Sequence, residues 1–297
     1  MLTRSLIFVP GNNRRFIEKA KGLKADIICF DLEDSVPVNE KDAARQLIGD
    51  ALSQRPQFES NLYVRINPLD SDLWSLDLKE AIKNGIDGIV VPKVNDQNQI
   101  KNLGYELTLL EDSRQMIKGS IKLVPSIESA KGIVNSYLIA TASQRVNAMV
   151  FGIFDFLYDM GLDYSENDDT EKYMYARSKV PVDARAAGIE AIDGIWQKVD
   201  DIKGLIRDAA LARRLGYSGK SLIHPTQIEP VHRVFIPTES QIKWARKVVD
   251  ALEKAMEKGE GAGAVKLEGK MVDAVHYKQA RAILHLSSKS RNGETSG

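Results

Sequence analysis

The chain has 297 residues, 43% hydrophobic and 28% charged, and its 41 basic residues equal its 41 acidic ones. That suits one large globular domain, or one domain with an appendage. It excludes an overall field that would draw nucleic acid or a membrane surface, so an anionic ligand must be caught by a local cluster.

The N-terminus runs straight into an apolar, β-branched segment, Ser5–Val9, without the layout of a signal peptide. The next such segment, Ile27–Asp31, holds the single cysteine, Cys29, which cannot form an internal disulfide and reads as a small core residue. Further strands are predicted at Leu62–Ile66, Gly88–Val91, Lys122–Ile127, Ala148–Gly152, Ile192–Gly194 and Lys220–Ile223. Most are continuously apolar, as parallel strands buried on both faces require. Helical spacing marks Asn13–Gly22, Glu40–Ser53, Ser75–Asn84, Ser129–Ala142 and Asp201–Leu215, with Gly85 and Gly216 after two of the ends. The alternation predicts a TIM (β/α)8 barrel over residues 1–237, with an open doubly wound sheet as the alternative.

After Pro237 the character changes. A charged amphipathic helix is predicted over Ser240–Lys258, a flexible Gly-rich loop over 259–264, a small hairpin over Val265–Asp273 and a last helix over Ala274–Leu286. Residues 238–286 read as a helical lid extension, and the polar stretch Ser287–Gly297 as a disordered tail. No apolar stretch is long enough to span a bilayer, and the expected location is the cytoplasm.

In such barrels the chemistry sits where strands end. Those ends are rich in charge: Asn12–Arg15, Asp31–Asp34, Arg65–Asn67, Lys93, Glu128, Gly152–Asp155 and His224. Glu128 and Asp155 stand alone at the mouths of adjacent apolar strands. Two carboxylates with water ligands make a Mg²⁺ site, while a helix N-cap or a salt bridge is the plainer reading. No His or Cys pattern suits Zn²⁺. Asp31 and Glu33, two apart, can share a face and either assist a metal or hold Arg65 and Lys93. Arg65 can fork onto a substrate carboxylate, or pair with Glu33; the two are compatible. Arg14, Arg15 and Lys19 form an anion site or a solvated helix face, without a P-loop motif. His224, before Pro225, reads as a turn residue more readily than a catalytic one.

Several segments together resemble the citrate lyase beta-subunit-like family within the HpcH/HpaI aldolase superfamily, which includes malyl-CoA and citramalyl-CoA lyases. They run from Arg4–Leu6 with Pro10-Gly11, through Asp31–Val36, Val64–Asn67, Val91–Lys93, Ile127–Ser129 and Gly152–Asp155. They end with Gly219–Ile228 and Gly269–Asp273. The resemblance implies a Mg²⁺-dependent carbon–carbon lyase, with Mn²⁺ as a substitute, that cleaves a short 3-hydroxyacyl-CoA to acetyl-CoA and a 2-keto acid. It implies metal binding by Glu128 and Asp155, and substrate contacts from Arg65 and Gly152. It further implies a role for Glu33 beside Arg65, and CoA phosphates near Arg14, Arg15 and Lys19. It implies a homotrimer in which Asp273, on the lid, acts as acid/base in a neighbouring subunit. The retained lid favours a free-standing CoA lyase. The rivals are a carrier-dependent citryl lyase, a malyl-CoA thioesterase, a CoA-independent 2-keto acid aldolase and a non-catalytic subunit. One departure is the aromatic stretch Phe154–Asp159, expected to narrow the acyl pocket or repack the thioester channel.

Overall fold

A computed structural model of the chain describes residues 2–83, 85–163, 170–257 and 263–294. They form two compact units, one spanning Thr3–His232 and the other built mainly from Arg233 onward.

The first unit is a closed parallel barrel. Its strands are β1 (Ser5–Pro10), β2 (Ile27–Asp31), β3 (Asn61–Arg65), β4 (Gly88–Val91), β5 (Lys122–Ile127), β6 (Ala148–Phe151), β7 (Glu190–Asp193) and β8 (Gly219–Leu222). Each pairs with its successor, and β8 returns to β1 with Ser5 opposite Lys220, which removes the open-sheet alternative. The helices are α1 (Arg14–Ala20), α2 (Lys41–Ser53), α3 (Trp74–Ala81), α4 (Gln97–Ser113), α5 (Ala130–Ala140), α6 (Ile153–Asp159), α7 (Met174–Ala187), α8 (Ile202–Leu215) and α9 (Ile228–Phe235).

Burial on both faces explains the strand composition. Leu6, Cys29, Tyr63, Val90, Val124 and Ile192 interlock inside the barrel. The alternate residues face the helices, and there β7 and β8 carry buried charge. Arg177 of α7 donates to Asp193 at 2.7 Å and pairs with Asp208 at 2.8 Å, while Lys220 bonds Asp193 at 2.6 Å. Each buried charge therefore has an opposite partner. Gly216 ends α8 in the left-handed region (φ +106°), where a glycine costs least.

Four helices, α4, α6, α7 and α9, lie outside the predicted helical stretches. The long α4 buries Ile100, Leu103 and Leu107 at helical spacing and is closed by its cap: Asp96 accepts from Asn98 N–H, and Gln99 reaches back to accept from the Asp96 amide at 3.1 Å. In α7, Pro181 stands in the interior.

The C-terminal unit contains α10 (Glu239–Glu257), β9 (Ala264–Leu267), β10 (Lys270–Asp273) and α11 (Ala274–Glu294). Ala245, Val248 and Leu252 of α10 pack with Val272 and Ala280. The hairpin turns on Glu268 and Gly269, both at positive φ (49° and 81°), as a two-residue hairpin turn of the primed type demands. Most of the expected 259–264 loop lies outside the described residues. The final helix runs past its predicted end, so 287–294 is helical and not a disordered tail. Polarity alone does not stop a helix, and no proline or glycine intervenes before Gly293. Residues 295–297 lie outside the described set. Among the described residues, no helix is long and apolar enough to cross a membrane.

Candidate active site

The C-terminal ends of the strands surround a cavity of about 480 Å³, lined among others by Phe8, Asp31, Arg65, Ser126, Glu128, Gly152, Phe154, Asp155, Gly194 and Ser221. Of the residues singled out from the sequence it takes in Asp31, Asp34, Arg65, Glu128, Gly152 and Asp155, while Glu33 and Lys93 adjoin it through Arg65 and Asp155.

Arg65 ends β3 opposite Asp31, its register partner at the end of β2. Its Nε and Nη2 donate to the two Asp31 oxygens at 2.7 Å each, and Nη1 lies 2.9 Å from Glu33. The guanidinium rests 4.6 Å over the Phe8 ring. Two of its five N–H donors are thus bonded to Asp31, while Glu33 is an ion-pair neighbour whose buried oxygens have no hydrogen-bond partner among the described residues, so the remaining donors are open to a ligand. Burial pushes the Asp31 carboxyl up, but Arg65 outweighs it and holds the group below the usual carboxylate range. Lys41, buried at the start of α2, donates to the Leu32 and Glu33 carbonyls at 2.6 and 2.9 Å, fixing the acidic turn.

Glu33 is nearly buried and takes Arg65 on one oxygen and Lys93 on the other, each at 2.9 Å. Lys93 also approaches Asp34 (3.6 Å) and Asp155 (3.7 Å). Its backbone is left-handed (φ +53°), which is strained for a residue with a Cβ, and its amide faces Glu128 Oε2 at 3.3 Å.

Glu128 is buried at the end of β5. Burial first, then repulsion from Glu33 and Asp155, pushes its carboxyl up to about 8. It is not the α5 cap: Ser129 takes that role, accepting from Gly132 N–H at 2.9 Å. Gly152 makes room for it, since a Cβ there would lie 2.9 Å from Glu128 Cδ and Oε1. The Gly152 amide is spent on the Ile127 carbonyl at 3.0 Å, so the glycine supplies space and not a donor. Asp155, in the first turn of α6, is half-exposed.

Five carboxylates, Asp31, Glu33, Asp34, Glu128 and Asp155, therefore surround two cations, Arg65 and Lys93. The surplus negative charge centres on Glu128, and a divalent cation would relieve it. Among the described residues, no three His, Cys, Asp or Glu side chains form a ready metal cage. Mg²⁺ needs none, because it takes one or two carboxylates and completes its shell with water and substrate oxygens. Glu128 and Asp155 fit that ion.

Arg14, Arg15 and Lys19 are exposed on α1, and none lines the cavity. Arg14 borders a separate groove of about 260 Å³ with Asp50 and Gln54. His224 caps the short turn at Pro225–Gln227, accepting from Thr226 N–H at 3.3 Å. Asp273 ends β10 in the C-terminal unit, half-exposed. Of the aromatic stretch, only Phe154 lines the cavity; Phe156 packs on Phe151 at 5.6 Å between ring centroids, and Tyr158 is exposed. Sequence reasoning left Asp31 and Lys93 as accessories, and it overlooked Ser126 and Ser221. Inward alternation along β5 and β8 is the signal that could have found the two serines.

Comparisons with known proteins point the same way. The family model described as HpcH/HpaI aldolase/citrate lyase matches residues 4–225. The citrate lyase subunit beta of Leuconostoc mesenteroides subsp. cremoris is 38% identical over 296 residues, covering 100% of this chain and 97% of its own. The mitochondrial citramalyl-CoA lyase of Rattus norvegicus is 32% identical, covering 96% of this chain and 86% of its own. The crystal structure of CitE from Mycobacterium tuberculosis, in complex with magnesium, acetoacetate and coenzyme A, superposes with a TM-score of 0.78 at 26% identity. That match covers 97% of this chain and 98% of the other.

Proposed function

This chain belongs to the HpcH/HpaI aldolase/citrate lyase family, and from that premise we propose that it is a Mg²⁺-dependent carbon–carbon lyase acting on a short 3-hydroxyacyl-CoA such as citramalyl-CoA or malyl-CoA. The products are acetyl-CoA and a 2-keto acid, pyruvate or glyoxylate. The observation that carries the reading is Glu128, buried and flanked by like charge in a cavity also lined by Arg65, whose guanidinium keeps donors not bonded to the protein. Such a site takes a cation and an anion together. The magnesium and acetoacetate bound by the mycobacterial relative support the same pairing.

Glu128 and Asp155 would hold the metal. When bound, Mg²⁺ supplies a Lewis acid that stabilises negative charge on the 3-oxygen. Arg65 grips the carboxylate of the keto-acid half with its spare N–H donors, held in place by Asp31 and Glu33. Glu33 acts through Arg65 and Lys93 and does not need to touch the substrate. Lys93 adds positive charge beside Asp155. In cleavage the 3-hydroxyl gives its proton to solvent and becomes the keto C=O as the C2–C3 bond breaks, and that bond's electron pair becomes the thioester enolate. Asp273, from a neighbouring copy, returns a proton to C2; in the condensing direction it removes that proton. Arg14, Arg15 and Lys19 are assigned to the CoA phosphates, and residues 238–286 to the lid that brings Asp273 to its neighbour.

A second reading, cleavage of a citryl thioester to oxaloacetate, is favoured by one observation. The Leuconostoc citrate lyase subunit matches the whole of this chain, so the C-terminal extension does not by itself separate the two activities. Incubation with citramalyl-CoA, malyl-CoA and citryl-CoA, with and without Mg²⁺, distinguishes them by the keto acid released. Release of CoA without any keto acid would mark a thioesterase instead.

A further inference from the structure

Asp273 is held by one oxygen only. Its Oδ1 takes Val275 N–H at 3.0 Å, His276 N–H at 3.2 Å and the His276 ring nitrogen Nδ1 at 2.7 Å. No contact occupies Oδ2 among the described residues. The two amides make Asp273 the N-cap of α11, and the Asp273 amide in turn faces the His276 ring nitrogen Nδ1 at 3.3 Å. The same ring atom makes the shorter contact with Oδ1. A carboxylate only accepts, so in that 2.7 Å contact Nδ1 carries the proton and donates, which excludes the longer bond from the amide. These hydrogen bonds hold Asp273 ionised, below the usual carboxylate range, with the His276 ring the largest cause.

We propose that His276 is a positioning residue for Asp273. It fixes Oδ1 so that Oδ2 is presented as the acid/base atom for the acetyl thioester. In the condensing direction the C2–H bond breaks, the proton goes to Oδ2, and the electron pair becomes the enolate; in cleavage the same proton returns. The ring sets the direction of the free oxygen, because two backbone donors alone leave the carboxylate free to rock about its cap. This inference rests on the reading of Asp273 as acid/base.

The test uses the full-length chain with Mg²⁺, acetyl-CoA and either pyruvate or glyoxylate. It measures kcat, the keto-acid KM and exchange of the acetyl methyl hydrogens with D₂O. His276→Ala is expected to lower kcat and exchange about 10- to 100-fold, the scale of a misplaced reacting group, with KM unchanged. His276→Asn, whose amide can still donate to Oδ1, is expected to recover most of the loss. In an Asp273→Asn background, His276→Ala should cost nothing further. Wild-type turnover in His276→Ala, with Asp273→Asn inactive, overturns this inference alone. Wild-type turnover in Asp273→Asn overturns the reading beneath it. Equal losses in the Ala and Asn variants, with a matching drop in melting temperature, place the effect in the folding of α11 and overturn the positioning role.

Discussion

Gly152 lies against Glu128 so closely that a Cβ on the glycine would sit 2.9 Å from the carboxylate Cδ and Oε1. The absent side chain is what lets Glu128 stand in the mouth. Gly152→Ala should therefore displace Glu128 and weaken Mg²⁺ about 10- to 100-fold, the usual cost of disturbing a ligand's support. Isothermal titration reads the affinity, and an unchanged far-UV spectrum shows that the barrel persists. Unaltered Mg²⁺ affinity would mean that Glu128 has room to give.

Arg65 and Asp31 form a pair in which both bonds of the fork are 2.7 Å and Asp31 is fully buried. Breaking such a pair leaves a buried charge and costs about 3–5 kcal/mol. Arg65→Met should lower the urea midpoint accordingly and abolish turnover. Arg65→Lys should recover part of the stability but little activity, because an ammonium cannot fork onto two carboxylates at once. Near-normal kcat/KM in the lysine variant would remove the guanidinium from substrate binding.

Glu128 gives the metal-free protein a distinctive pH response. Its carboxyl stands at about 8 in the fold against an ordinary 4.5. Between those values the folded state binds the extra proton, so this group's effect on stability is favourable below about pH 4.5 and is lost as pH rises toward 8. Mg²⁺ must displace that proton, so its apparent affinity should rise with pH and level off above about 8. Titrations in buffers of different ionisation heat should show close to one proton released per ion at neutral pH. Glu128→Gln should release none.

Glu111 acts with the opposite sign, far from the mouth. It accepts Arg145 Nη2 at 2.7 Å, Gly119 N–H at 2.7 Å and Ile121 N–H at 3.1 Å. Burial works against the charged form, but these donors outweigh it and bring the carboxyl down to about 2 from 4.5. The stability it contributes is complete above pH 4.5 and lost as pH falls toward 2. Chemical denaturation of Glu111→Gln should show a lower midpoint at pH 7, and that deficit should shrink steadily on acidification. A deficit independent of pH would assign the effect to packing.

The barrel was legible because burial on both faces writes its own pattern. All eight strands lie within two residues of their predicted bounds at each end, down to the short β7 and β8. Two of the unpredicted helices carry a legible pattern: Ile100, Leu103 and Leu107 in α4, and Ile228, Val231 and Phe235 in α9, are buried at helical spacing. In α7 the apolar positions are interrupted by Pro181 and by Arg177, whose charge is satisfied inside the protein, and α6 is only seven residues long. At the mouth, residue types indicated which side chains could meet, but not how they share partners. That Arg65 divides its donors between Asp31 and Glu33 depends on the β2–β3 register. The left-handed backbone of Lys93, which turns its amide toward Glu128, depends on tertiary packing that no local signal records. The final helix was cut short because polar residues were read as a stop when no breaker was present.

The most direct measurement follows keto-acid release from a 3-hydroxyacyl-CoA by the wild-type protein and by Glu128→Gln, each with and without Mg²⁺. The account predicts that the wild type with Mg²⁺ forms acetyl-CoA and keto acid in equal amounts. It predicts that chelation stops the reaction and that the variant is inactive in either condition. Keto-acid release that survives chelation, or full activity in Glu128→Gln, would contradict it.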